Sequence, residues 1–102
     1  MLKNLTLSTG KVVNNVLFQR TRGSRFTHAL IVSDSKFIMG AAYRKDVDHE
    51  WRAVGNIAAL GNAFDNSRDM FTKEERDEIL FEVTKNSPKI VAALQRFPHL
   101  LP

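Results

Sequence analysis

Phe26-Thr27-His28-Ala29-Leu30-Ile31-Val32 is the most strand-prone run in the chain, and its reading decides the fold. Phe26, His28, Leu30 and Val32 fall on one face of a pleated strand, while Thr27, Ala29 and Ile31 fall on the other. Both sets are largely apolar, which predicts a central strand covered on both sides. Ser33-Asp34-Ser35-Lys36 supplies turn residues, so Phe37 to Tyr43 is expected to return antiparallel beside it. Small Gly40, Ala41 and Ala42 in that returning strand would let another element approach closely.

Upstream, Leu5-Thr6-Leu7-Ser8-Thr9-Gly10-Lys11-Val12-Val13 reads as strand, tight turn and strand, the second continuing to Phe18. Asn14-Asn15 marks either a bulge or a second turn within it. Downstream of Asp46 the spacing becomes helical. Trp51, Val54, Ile57 and Ala58 share a helical face, although Gly55 and Gly61 weaken a helix, and residues 62–68 are expected to be loop. Thr72-Lys73-Glu74-Glu75 has the form of a capping box, and Ile79, Leu80 and Val83 supply the stripe behind it, up to a stop at Lys85-Asn86. Ser87-Pro88 restarts a helix with Ile90, Val91, Leu94 and Phe97 inward, and Pro98 ends it. The expected fold is therefore α+β: a four-stranded, mostly antiparallel meander from Leu5 to Tyr43, then two or three C-terminal helices packed on one face. The opposite sheet face would stay open to a ligand or a second copy of the chain, and exposed sheet edges would favour a homodimer.

The 102 residues match one domain. With 43% hydrophobic and 25% charged residues the chain is expected to be ordered nearly throughout. Cysteine is absent, so disulfides and thiolate metal sites are excluded, and the pattern suits a reducing cytoplasm. No run approaches the length of a membrane span, and Met1 to Gly10 lacks the apolar core of a signal peptide. A cytoplasmic location is the expectation.

The net charge of +4 is unevenly spread. Residues 1–45 carry eight Lys and Arg against Asp34 alone, whereas residues 46–102 carry seven Lys and Arg against ten Asp and Glu. A basic sheet half followed by an acidic helical half points to an anionic partner for the first, or to lysines and arginines that solvate the strands and block edge pairing. Arg20, Arg22 and Arg25 bracket Gly23-Ser24, a pliable segment rich in hydrogen-bond donors, and Phe18 and Phe26 flank it. Guanidinium groups fork onto phosphates, and aromatic rings stack on bases. The residues expected to bind such a ligand are Arg20, Arg22, Arg25 and Arg44 on phosphate, with Phe26, His28 and Tyr43 beside them.

Asp46-Val47-Asp48-His49-Glu50 gathers metal-ligating side chains, but its spacing fits no zinc or calcium motif, and no metal or other cofactor is expected. His28 and His49 could act as an acid–base pair beside Arg25 or Arg44, as in a small metal-independent nuclease. No phosphate-cradling glycine loop, nucleophile elbow or dinucleotide fingerprint is present, which removes the commonest enzyme classes and favours a binding protein without catalytic residues. Alternatively the chain inhibits a host protein by direct contact, with Trp51, Tyr43, Leu100 and Leu101 as anchors.

Arg25-Phe26-Thr27-His28-Ala29-Leu30, preceded by arginines, resembles a strand of short uncharacterised bacteriophage and prophage proteins. That resemblance implies an accessory role against a host enzyme or defence pathway.

Overall fold

The computed structural model describes residues 2–20, 26–43, 51–85 and 87–96. Strands β1 (Leu2–Thr6), β2 (Val12–Arg20), β3 (Phe26–Ser33) and β4 (Lys36–Tyr43) form one antiparallel sheet in sequence order. Helices α1 (Trp51–Asp65), α2 (Lys73–Lys85) and α3 (Pro88–Arg96) follow, giving the expected meander with helices on one face. One core joins both halves of the chain, with Val16, Ile31 and Ile38 of the sheet meeting Ile57, Leu60 and Phe64 of α1 and Ile79 of α2.

Turn chemistry accounts for the hairpins. Gly10, at φ 91°, takes the left-handed position of the first turn, and the Leu7 N–H donates to the Lys11 carbonyl at 2.8 Å. In the second, Asp34 and Ser35 have φ of 52° and 61° between the paired residues Ser33 and Lys36. Two left-handed central residues make the turn whose twist matches the flanking strands, here without glycine. The Asn14-Asn15 ambiguity resolves as a bulge: the pairing register shifts between Val13↔Ser33 and Asn15↔Val32. The extra residue keeps Val13 and Val16 both buried although their spacing would put them on opposite faces of a regular strand.

The capping box forms reciprocally. The Glu75 N–H donates to Thr72 Oγ1 at 3.2 Å, and the Thr72 N–H donates to Glu75 Oε1 at 2.9 Å. Thr72→Ala is expected to destabilise the protein by about 1 kcal/mol, read as a lower thermal midpoint, and to leave ligand binding unchanged. Equal midpoints would mean that the hydroxyl contributes nothing as a cap.

Val91 of α3, expected inward, is exposed, and two larger expectations are corrected. Helix α1 runs through Asn62 to Asp65, which the sequence placed in a loop. The asparagines that argued for a loop are used against the sheet: Asn62 Nδ2 donates to the Ala41 carbonyl at 2.6 Å and Asn66 Nδ2 to the Met39 carbonyl at 2.9 Å. Second, β3 is covered on one side only. Thr27, Ala29 and Ile31 are buried against the helices, while Phe26 is exposed and His28, Leu30 and Val32 are half-buried on the open face. The smaller residues lie inward because α1 comes close to the sheet. At Gly40 of β4 a Cβ would fall far inside contact distance of the Ala63 backbone nitrogen and the Ala59 carbonyl, and 2.7 Å from Ala63 Cα. Bulky side chains on that face would push the helix away.

Candidate ligand-binding face

The open face is built by strand alternation and register. β3 presents Phe26, His28, Leu30 and Val32, and their direct partners on β4 are Tyr43, Ala41, Met39 and Phe37. On β2 the residues opposite His28, Leu30 and Val32 are Gln19, Leu17 and Asn15. Phe37 is 73% exposed, Met39 56%, Tyr43 49% and Phe26 45%, far above what residues of this size show in a core. Among the described residues this face carries a charge at one edge only, that of exposed Lys3 on β1, paired with Asn15. It is apolar over β3 and β4, with amide side chains along β2.

At one end of the face three predicted ligand-binding residues come together. Phe26 and Tyr43, directly paired across strands, have ring centroids 5.0 Å apart at 54°. His28 lies 6.2 Å from Phe26 with nearly parallel planes, 26° apart. Such geometries are favourable for aromatic pairs, and together they make a half-exposed π platform. The chain enters Phe26 from Arg25 and leaves Tyr43 into Arg44.

Arg20 sits apart from that platform. It is the last residue of β2, not part of a loop, and pairs with Thr27, whose side chain faces the helices. Its Nε and Nη2 donate to Thr27 Oγ1 at 3.2 and 3.1 Å. The guanidinium therefore lies on the other side of the sheet from Phe26, His28 and Tyr43. Arg22, Arg25, Arg44, the segment 45–50 with His49, the tail with Leu100 and Leu101, and the side chain of Trp51 lie outside the described residues.

Lys11, counted with the basic half, is used structurally. Its ammonium donates to the Met70 carbonyl, lies 3.4 Å from Glu75 Oε1 and sits 5.1 Å above the Phe71 ring. Sequence reasoning missed Glu75 as more than a cap. The carboxylate is 3% exposed and also accepts from Thr9 Oγ1 at 2.6 Å, so it ties the first hairpin to α2. The Thr9 hydroxyl, the Thr72 N–H and the Lys11 ammonium hold its carboxyl below the ordinary value of 4.5, outweighing burial. Ser8 adds two hydrogen bonds to Glu78, from its N–H at 3.0 Å and its hydroxyl at 2.9 Å.

A groove of about 810 Å³ opens at the opposite end of the sheet, between the two hairpin turns and the segment after α1. Asn14, Asp34, Ser35, Lys36 and Asp69 are among the residues that line it, none of them expected from sequence to bind a ligand. Lys11 and Lys36 stand there against Asp34 and Asp69, so the groove offers no net positive charge to an anion. Among the described residues no three His, Asp or Glu side chains are placed to hold a metal ion, and no helix is long and apolar enough to cross a membrane.

Family models, curated proteins and solved structures give no match to this chain.

Proposed function

We propose that the protein is a non-enzymatic binding protein that captures a nucleotide or single-stranded nucleic acid at the Phe26–His28–Tyr43 end of its open sheet face. The supporting observation is the cross-strand pair of half-exposed rings, 5.0 Å apart, each covalently adjacent to an arginine, Arg25 before Phe26 and Arg44 after Tyr43. In this reading a base stacks on the rings, and the arginines next to them in sequence supply charge for its phosphate. Arg22 adds charge from the same connection, whereas Arg20 acts from the other side of the sheet. Location in the cytoplasm and a phage-type role against host defence belong to the same proposal.

Anisotropy titration of a labelled oligothymidine, with unlabelled ATP as competitor, tests it. Phe26→Ala with Tyr43→Ala is expected to weaken binding about 10- to 100-fold, the range for losing one stacked base, while the fold is kept. Arg25→Ala with Arg44→Ala should lower the slope of log affinity against log salt by about 1.4 for the single strand, one phosphate contact per arginine. Competition by ATP at a similar concentration would make a mononucleotide the ligand; competition by oligonucleotide alone would make it a strand. Wild-type affinity in a folded ring variant would sink the platform.

A second reading, direct inhibition of another protein, draws on the aliphatic continuation of the face through Leu30, Val32 and Met39 to Phe37. A continuous exposed apolar patch is a feature of protein-binding surfaces.

A further inference from the structure

We infer that the open sheet face is the interface of a symmetric homodimer, in which two copies stack their sheets face to face about a two-fold axis that lies between them, level with the Ala29–Gly40 pair. This goes beyond ligand capture and does not depend on it.

Four observations converge on a second copy as the occupant. First, the sequence of β3 has the two-sided apolar pattern of a strand buried on both faces, yet the helices cover only one. Second, edge pairing is obstructed. The carbonyls of Met39 and Ala41 on β4 already accept from Asn66 and Asn62, and β1 at the other edge is five residues long with Asn4 at φ 52°. Both are devices that blunt strand addition, so the partner approaches the face rather than an edge.

Third, the face is self-complementary. Ala29 and Gly40 are paired in the register. A two-fold axis lying across the strands at that pair reverses strand direction and sets β4 over β4. Met39 of one copy then lies over Ala41 of the other, Phe37 over Tyr43, Leu30 over His28 and Val32 over Phe26. The long Met39 side chain meets the methyl of Ala41, and the three larger pairs are aromatic or aliphatic throughout. Leu17 meets Gln19 along β2, giving the contact a partly polar rim. The charge on the described face, Lys3 at the β1 edge opposite Asn15, lies well to one side of the axis, so the two-fold does not set it over its own copy.

Fourth, the size is adequate for a reversible dimer. Eight-residue strands span roughly 27 Å and three strands roughly 14 Å, a flat footprint of roughly 400 Å² per copy. The relief of Phe37, Met39 and Tyr43 raises the buried total for two copies toward the roughly 1,200 Å² at the low end of specific interfaces. A contact of that size suits a reversible dimer, and because the same contact covers Phe26 and Tyr43, a ligand bound there would favour the monomer.

Sedimentation velocity of the wild-type chain alone, with no nucleotide, is the experiment, across a concentration series spanning the micromolar range. The expected result is a shift from monomer to dimer with rising concentration. Met39→Lys and Ala41→Glu should each be monomeric throughout the series with wild-type circular dichroism. Mixed in equal amounts they should dimerise again, because the introduced ammonium faces the introduced carboxylate only in the register described. A wild-type chain that stays monomeric throughout would overturn the dimer and leave the face to another partner. A dimer untouched by either substitution would overturn the interface, as would a mixture that stays monomeric. If either variant fails to fold, Phe37→Ser replaces it and should raise the dissociation constant at least tenfold; no change would also overturn the interface. None of these outcomes depends on nucleotide binding.

Discussion

Gly40→Ala is expected to destabilise the protein by about 3 kcal/mol or more. The new Cβ would overlap backbone atoms of Ala59 and Ala63 in α1, not the movable end of a side chain. Relief requires the helix to lift from β4, which breaks the contacts of Ile57, Leu60 and Phe64 with the sheet and stretches the Asn62 and Asn66 hydrogen bonds. Small domains hold only about 5–15 kcal/mol in all, so the variant should be visibly unfolded at moderate urea. Ala41→Ser, one residue on but on the opposite face, should change stability by less than about 0.5 kcal/mol. Urea midpoints of the two variants check the claim, and a Gly40→Ala midpoint equal to wild type would mean that α1 does not press on β4.

Glu75→Ala is expected to lower stability by about 3 kcal/mol at neutral pH, well beyond the loss of a helix cap. Removing the carboxylate strands the Thr9 hydroxyl, the Thr72 N–H and the Lys11 ammonium together and leaves a void between the first hairpin and α2. Lys11 is partly exposed and regains water, which keeps the figure from rising further.

The pH dependence has a definite sign. The folded carboxyl titrates below its ordinary 4.5, so its contribution is complete above that value and is lost as pH falls through the lower folded pKa. Glu75→Gln should therefore be less stable than wild type at pH 7, with the gap closing as acid protonates the wild-type carboxyl. Urea midpoints at several pH values between neutral and strongly acid would show it. A gap that stays constant with pH would assign the effect to shape and not to charge.

Much of the architecture was legible locally. Turn residues at Gly10 and at Asp34-Ser35, β-branched and aromatic runs between them, and the Thr72–Glu75 box are interactions within a few residues of chain, and all formed where the sequence placed them. The end of α1 was misjudged because Gly61 and Asn62 are poor helix formers. Their cost is offset by hydrogen bonds to β4, residues that local propensity does not see.

The candidate site was legible in part. Phe26, His28 and Tyr43 were named from residue type, and alternation with antiparallel register brings them together. The same alternation sends Arg20 to the opposite side, a distinction invisible in sequence, where Arg20, Arg22 and Arg25 stand together around Gly23-Ser24. Glu75 could have been suspected from its position three after Thr72, but its burial depends on Thr9 and Lys11, distant in sequence.

By itself the sequence determined the strand and helix content, the meander, the excess of positive charge in residues 1–45 and the aromatic residues near it, because period, turn chemistry and composition are properties of short windows. Only the tertiary structure decided which face of β3 is covered. Both faces are apolar enough to be buried, and the choice fell to Thr27, Ala29 and Ile31 because Gly40 lets the α1 backbone approach that side. The larger residues Phe26, Leu30, Phe37 and Met39 were thereby left facing outward.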